Sequence, residues 1–322
     1  MMLENLPIQI EDIRAARTRI ADYVVRTPLV PNEPLSQQLG CDVNFKCENL
    51  QHIGAFKARG ACNAVFSLSD EQAEKGVVTH SSGNHAAAVA RAASLRKIPA
   101  HIVMPHNSSA VKLAAVEALG VIPVLCEPDA ESRHRGADEI QAATGATLIH
   151  PYDNTAVMAG QGTVALEIIE QLESVDTIVA PVGGGGLLSG VLVAVKSLRP
   201  DIRVIAAEPA WADDAARSLQ SGKIEMPTRY DTIGDGLRTP LGEFTFAVIR
   251  SLLDDILLVK EETIAAATRL IANRANMIAE PSGAVPLAAV LEHGQQFAGR
   301  RVALVISGGN LDLTQFSLLE ST

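Results

Sequence analysis

Short apolar stretches alternate with helix-length stretches along most of this chain, and that alternation constrains the fold more than any other feature. Residues 43–47, 76–80, 101–104, 122–125, 177–180, 203–207 and 302–306 read as strands. Residues 10–25, 56–68, 85–95, 111–119, 160–172 and 187–198 read as helices, the first ended by Thr27-Pro28 and the third rich in Ala. Short apolar strands separated by helices build parallel sheets covered on both faces. The expected class is therefore α/β, with parallel twisted sheets flanked by helices. A chain of 322 residues makes one large unit of this kind or two closely joined ones. Ligands in such folds sit beyond the carboxyl ends of the strands. That rule singles out the segments after Cys47, His80, Ala180 and Ile306.

Charge narrows the partners. Lys and Arg number 27 against 37 Asp and Glu, a net charge of −10, which argues against nucleic acid and against an anionic lipid surface. No stretch approaches the ~20 apolar residues that span a bilayer, and the acidic N-terminal segment does not read as a signal peptide. Cys41, Cys47, Cys62 and Cys126 form no C-x-x-C pair and read as reduced thiols of a cytoplasmic protein.

Four segments carry chemistry. Pro181-Val182-Gly183-Gly184-Gly185-Gly186-Leu187 joins a strand to a helix. Successive glycines let backbone N–H groups approach a ligand, and the helix N-terminus adds positive potential, so the segment suits a phosphate. It lacks the Gly-Lys-Ser/Thr of a P-loop and matches the dinucleotide fingerprint poorly. The plainer alternative is a flexible turn. Ser81-Ser82-Gly83-Asn84-His85 suits a carboxylate at a helix start, or serves as a cap and turn. Lys57, in Gly54-Ala55-Phe56-Lys57-Ala58-Arg59-Gly60, lies at a loop-to-helix junction. A lone Lys is ordinarily a solvated surface charge. Beside a phosphate cup and a carboxylate loop it reads as an amine poised for imine formation, its pKa lowered by burial. Ser307-Gly308-Gly309-Asn310 offers a hydroxyl to a ring nitrogen, or is a turn.

Taken in order with Glu48-Asn49 and Gly160-Gln161-Gly162-Thr163, these segments resemble the serine racemase and serine/threonine (hydroxyaspartate) dehydratase family. These are pyridoxal phosphate enzymes of the tryptophan synthase β-subunit fold type. The likeness runs from about Arg26 to Leu313. It implies a two-domain fold type II enzyme, with residues 76–153 as a small domain that closes on substrate and residues 1–75 and 154–322 as the large cofactor-binding domain. It implies a dehydratase, an amino acid ammonia-lyase, acting on serine, threonine or 3-hydroxyaspartate. A serine or aspartate racemase, alone or combined with the lyase, is the alternative inside the family. A non-catalytic anion-binding protein is the alternative outside it.

The resemblance also assigns roles. Lys57 would carry pyridoxal 5'-phosphate as a Schiff base and act as acid/base on one substrate face. Phe56 would pack on the cofactor ring, Asn84 would bond its hydroxyl, and Ser307 would face its nitrogen. Gly183, Gly184, Gly185, Gly186 and Leu187 would hold its phosphate. Ser81, Ser82, Gly83, Asn84 and His85 would bind the substrate carboxylate. Ser82 matches the racemase and hydroxyaspartate dehydratase branch, whereas bacterial threonine dehydratases usually carry Ala there. In racemases that Ser is the acid/base on the opposite face. Glu208, the carbonyl of Ala212 and Asp214 resemble that branch's Mg²⁺ or Ca²⁺ site, whose plainer alternative is an acidic helix start.

The departures are Ala55 for a common Ser, Ala86-Ala87 for a commoner Gly-Gln, and Tyr152 where mammalian racemases carry Asn. Tyr152 leans toward elimination. Arg133, with His134 and Arg135 beside it, is either a receptor for a second substrate carboxylate or part of a solvated helix face. The family further suggests a homodimer. No C-terminal regulatory domain fits in the residues after Asn310.

Overall fold

The computed structural model describes residues 3–81, 83–108 and 110–312. Ser82 is outside the described residues. Among the described residues, ten strands form two sheets: β1 (Leu29–Pro31), β2 (Asp42–Cys47), β3 (Val77–His80), β4 (Ala100–Pro105), β5 (Val124–Cys126), β6 (Thr147–Leu148), β7 (Thr177–Pro181), β8 (Arg203–Pro209), β9 (Asp255–Val259) and β10 (Arg301–Ile306). The larger sheet has the order β1-β2-β10-β7-β8-β9 and is parallel except for β1. The smaller, β5-β4-β3-β6, is parallel throughout, and its strands fall between β2 and β7 in sequence.

The two-residue period of the strands divides the large core. On β8, Val204 and Ala206 face one side, and Ile205 and Ala207 face the other. On β10, Ala303 and Val305 alternate with Val302, Leu304 and Ile306 in the same way. The first face is covered by helices Ile10–Ile20, Thr155–Gln171, Gly186–Leu198 and Glu243–Leu252. Helices Glu33–Leu39, Glu261–Ala275 and Pro281–Glu292 cover the second. In the small sheet, Val77, Ile102 and Met104 pack on the Ala-rich helix Asn84–Arg96, while Val78 and Val103 face Ala137 of helix Ala130–Thr144. Both faces of both sheets are covered, as the near-continuous apolar strands require.

Helix Thr155–Gln171 is packed backbone to backbone on two sides. A Cβ on Gly160 would lie 2.6 Å from Gly60 Cα, and one on Gly190 would lie 2.5 Å from Gly162 N. The Gly160-Gln161-Gly162 motif is thus a helix-packing feature of this fold.

Element boundaries move by up to five residues from the sequence reading, as in helix Thr155–Gln171 against the expected 160–172, and two of the shifts have a local cause. The first helix ends at Ile20 instead of residue 25, because Gln51 pairs with both backbone groups of Val25 (2.9 and 2.7 Å) and draws that segment out of the helix. The strand expected at 122–125 runs Val124–Cys126. Pro123 has no N–H for the ladder, and Ile122 is 87% exposed.

Candidate active site

β2 ends at Cys47, and the chain turns through two short 3-10 segments, Glu48–Leu50 and His52–Gly54, into helix Lys57–Phe66. The turn is tied to the carboxyl end of neighbouring β10. Ala55 bridges Gly308, and Phe56 N–H donates to Ser307 O at 3.0 Å. Lys57 therefore starts a helix at the strand ends where parallel folds bind ligands. Its Nζ donates to Pro151 O at 2.7 Å and lies 5.2 Å from the centre of the Phe56 ring. Burial pulls the ammonium down to about 8, overcoming the attraction of Glu280.

Two residues on, Arg59 fixes this helix from inside the protein. Its guanidinium bonds Glu48 (2.8 and 2.9 Å) and Glu167 (2.7 and 2.8 Å), and its Nη1 reaches Thr163 Oγ1 at 3.2 Å. Lys46 bonds Glu167, Thr27 O and Gln171. Arg59, Lys46 and Glu48 are fully buried, so each charge depends on the others for solvation. The Arg59 and Lys46 cations hold the Glu48 carboxyl below the usual range despite burial.

The glycine loop leaves β7 and enters helix Gly186–Leu198. Gly185 caps that helix with φ +85°, a left-handed conformation that favours glycine. A Cβ on Gly183 would lie 2.8 Å from Leu237 Cα, and one on Gly184 would lie 2.3 Å from the Tyr152 ring. One on Gly186 would lie 3.0 Å from Tyr152 Cα. Leu187 is buried behind the loop. The helical ladder starts with Ser189 N–H to Gly185 O, so the N–H groups of Gly186, Leu187 and Leu188 precede it. Pro151 and Tyr152 link this loop to Lys57, one through its carbonyl and the other through its ring.

The loop after β3 lies against the same place. The Ser81 hydroxyl accepts Gly83 N–H at 3.3 Å just before helix Asn84–Arg96. Asn84 Nδ2 donates to Glu280 Oε1 (2.8 Å), and Asn84 Oδ1 accepts from Asn310 (2.8 Å). Glu280 is buried, and its backbone N–H donates to Gly308 O at 3.0 Å. Burial pushes the Glu280 carboxyl up to about 7, with Asp235 adding to the shift. His85 is buried, bonds Ile149 O through Nε2 at 3.0 Å, and has no partner for Nδ1 among the described residues. Burial, and then the charge of Lys57, hold it well below the usual histidine range. Ser307 is buried at the end of β10.

Lys57, Phe56, Asn84, His85, Tyr152, Ser307 and the glycine loop thus form one connected cluster. The glycine loop, the helix-start N–H groups that precede the ladder, the lowered lysine and the His85 nitrogen without a partner among the described residues fit pyridoxal phosphate. Arg133 lies close by, its charge acting on His80 and Tyr152. Glu208 and Asp214 make a separate acidic pair. Both Glu208 oxygens accept N–H groups at the start of helix Asp214–Ser221, from Ala215 (2.8 Å) and Ala216 (3.0 Å). Both Asp214 oxygens are buried with no partner among the described residues, and Ala212 is buried beside them in sequence. Orphaned carboxylate oxygens fit a hard divalent cation.

Sequence reasoning missed Glu280, His80, His150 and Asp153. Asp153 accepts three N–H groups at the start of helix Glu243–Leu252 (2.9–3.1 Å) and so fixes the far end of the Pro151-Tyr152 turn. A Glu before Pro281 signals only a helix start, and nothing local announces that Asn84 meets it.

Known proteins are similar to this chain over nearly its whole length. A family profile described as pyridoxal-phosphate dependent enzyme matches residues 20–308. A serine racemase of Dictyostelium discoideum is 45% identical over 316 residues, 96% of this chain and 97% of that one. A beta-hydroxyaspartate dehydratase of Paracoccus denitrificans is 45% identical over 303 residues, 94% and 96% of the two chains. The solved structure of maize serine racemase superimposes with a TM-score of 0.93 at 46% identity, covering 97% of this chain and 96% of that one.

Proposed function

The chain belongs to the pyridoxal-phosphate dependent enzymes, and on that premise we propose that it is a dehydratase converting a small β-hydroxy amino acid to a 2-oxo acid and ammonia. Serine, threonine and 3-hydroxyaspartate are the candidate substrates. The observation that carries this reading is the Lys57 amine, lowered to about 8 and held at the strand ends beside the glycine loop. When bound, the cofactor supplies the electron sink for loss of the substrate α-proton.

The chain's residues do the rest. Lys57 holds the cofactor covalently and moves the α-proton, a task suited to an amine that titrates near working pH. Gly183, Gly184, Gly185, Gly186 and Leu187 bind the phosphate through N–H groups. Asn84 and Ser307 would orient the ring by hydrogen bonds, and Phe56 would pack on it. Ser307 would face the ring nitrogen with a neutral hydroxyl and no carboxylate, a setting that suits elimination. Ser81, Ser82, Gly83, Asn84 and His85 receive the substrate carboxylate. Arg133 and Tyr152 line its distal end. Residues 76–153 close over the substrate as a small domain. Glu208, the Ala212 carbonyl and Asp214 hold Mg²⁺ or Ca²⁺, a role supported by the orphaned Asp214 oxygens. The protein works in the cytoplasm as a homodimer.

Two relatives named serine racemase favour a second reading, in which Ser82 acts from the face opposite Lys57. Incubation with L-serine, L-threonine and the 3-hydroxyaspartates, assaying 2-oxo acid, tests the first. The cofactor-bound protein is expected to release 2-oxo acid from at least one, and none from any would overturn the dehydratase. Ser82→Ala is expected to remove D-isomer formation and spare elimination from the L-isomer; unchanged racemisation would exclude Ser82 as a second base. A non-catalytic anion-binding protein would lack the visible absorbance of cofactor bound to Lys57.

A further inference from the structure

His80, His134 and His150 are brought together from three parts of the chain, and the dehydratase reading uses none of them. His80 is the last residue of β3, and His150 follows β6, the neighbouring parallel strand. His134 stands on helix Ala130–Thr144, which packs on the same sheet. The His80 ring meets His134 edge-on at 4.4 Å and 87°, and His150 at 5.6 Å and 81°. One ring nitrogen from each lies within 4.8 Å of the others. His80 is 8% exposed, and its Nε2 is buried with no hydrogen-bond partner among the described residues. A buried, unpaired ring nitrogen is costly unless something occupies it.

We propose that these three histidines bind a late first-row divalent cation such as Zn²⁺, and that filling the site inhibits the enzyme. Three imidazoles suit Zn²⁺, Ni²⁺ or Cu²⁺, whereas Mg²⁺ and Ca²⁺ take oxygen ligands. The acidic pair at Glu208 and Asp214 has the opposite preference, so the two sites select different ions. Bonds of about 2.0–2.1 Å need the nitrogens to draw together. Exposed His134 is the ligand with room to move. Of the neighbouring charges, Arg133 opposes a cation and Asp138 favours one.

Inhibition follows from His150. Its Nδ1 accepts the N–H groups of Asp153 (2.9 Å) and, more weakly, Tyr152 (3.4 Å). A neutral imidazole has one lone pair. Ligation through Nδ1 takes that lone pair, and ligation through Nε2 moves the ring proton onto Nδ1, facing the N–H groups. Either way the turn at 150–153 loses its acceptor. That turn supplies Pro151 O to Lys57 and lays Tyr152 against Gly184.

The test uses the cofactor-loaded protein in excess Mg²⁺, with Zn²⁺ uptake measured by equilibrium dialysis and Co²⁺ uptake by its visible spectrum. The binding readout is independent of whether the dehydratase reading holds. One Zn²⁺ per chain is expected, with the absorption of a low-coordinate Co²⁺ site, and with binding weakened at least tenfold in both His134→Ala and His80→Asn. In the wild type, whichever activity is present should fall as Zn²⁺ binds and return on chelation. Absence of stoichiometric uptake, or uptake unchanged in His134→Ala, would overturn the site; exposed His134 makes that variant decisive even if His80→Asn misfolds. Uptake without loss of activity would overturn the inhibitory coupling.

Discussion

A lysine ammonium is ordinarily protonated up to about 10.4, and Lys57 departs from this because its surroundings solvate it poorly. Among the described residues its one hydrogen-bond acceptor is Pro151 O, and the nearby Glu280 carboxyl is itself pushed up to about 7. The uncharged amine is the nucleophile, so a value near 8 leaves about half of Lys57 reactive at a pH where an unperturbed lysine amine is almost wholly protonated. In the cofactor-free protein, an amine-directed reagent at pH 8 should label Lys57 first, identified by peptide mapping. The labelling rate should rise as pH climbs through about 8 and level off above it. A Lys57 rate still climbing steeply through pH 10 would show an ordinary surface amine. Lys57 was legible as a candidate in the sequence because the glycine, carboxylate and Phe-Lys segments occur in order. The residues that tune it were not. Glu280 and Pro151 reach the site from 223 and 94 residues further along the chain, and no local pattern records such meetings.

At the scale of elements, helix Lys57–Phe66 is held by buried ion pairs as well as by its apolar residues in the core. Arg59 joins Glu48 after β2 to Glu167 on helix Thr155–Gln171, and Gly60 and Gly160 bring the same two helices into backbone contact. Removing one member of a buried pair strands the other charge, which typically costs about 3–5 kcal/mol. Arg59→Met should therefore lower stability by an amount of that order, measured by urea unfolding of the cofactor-free protein. Cofactor affinity should fall with it, since Lys57 is two residues away. An Arg59→Met protein with wild-type stability and affinity would show that apolar packing alone places the helix. The periodicity showed that this helix exists. It did not reveal why the helix stays in register, because buried Arg, Glu and Lys look like surface residues in a sequence.

For the whole molecule, the relevant contact is between the segment that holds the small sheet and the turn that covers the glycine loop. Lys112, on helix Ala110–Glu117, bonds Asp235 in the short helix Asp235–Leu237, whose Leu237 backs Gly183. The pair is partly exposed, so salt should weaken it. Lys112→Met and Asp235→Asn are each expected to raise KM a few-fold with less change in kcat, and the double variant should add little to either. Fully additive effects in that cycle would show that the two residues act separately. Alternation of strand and helix was enough to read the parallel sheets. The strands it overlooked are β1, β6 and β9, of which β1 and β6 have only three and two residues, too short for a periodic signal.

Those short strands have a further use. An edge strand presents unpaired backbone groups to any neighbour in solution, and long flat edges invite chain-to-chain aggregation. The small sheet ends in β5 and β6, of three and two residues, and the large sheet ends on one side in β1, whose third residue is Pro31. Only β9, with five residues and half-exposed Leu258, offers a template of useful length. If this protein clumps when crowded or warmed, β9 is where the first misplaced strand would attach, and a lysine in place of Leu258 is the natural guard.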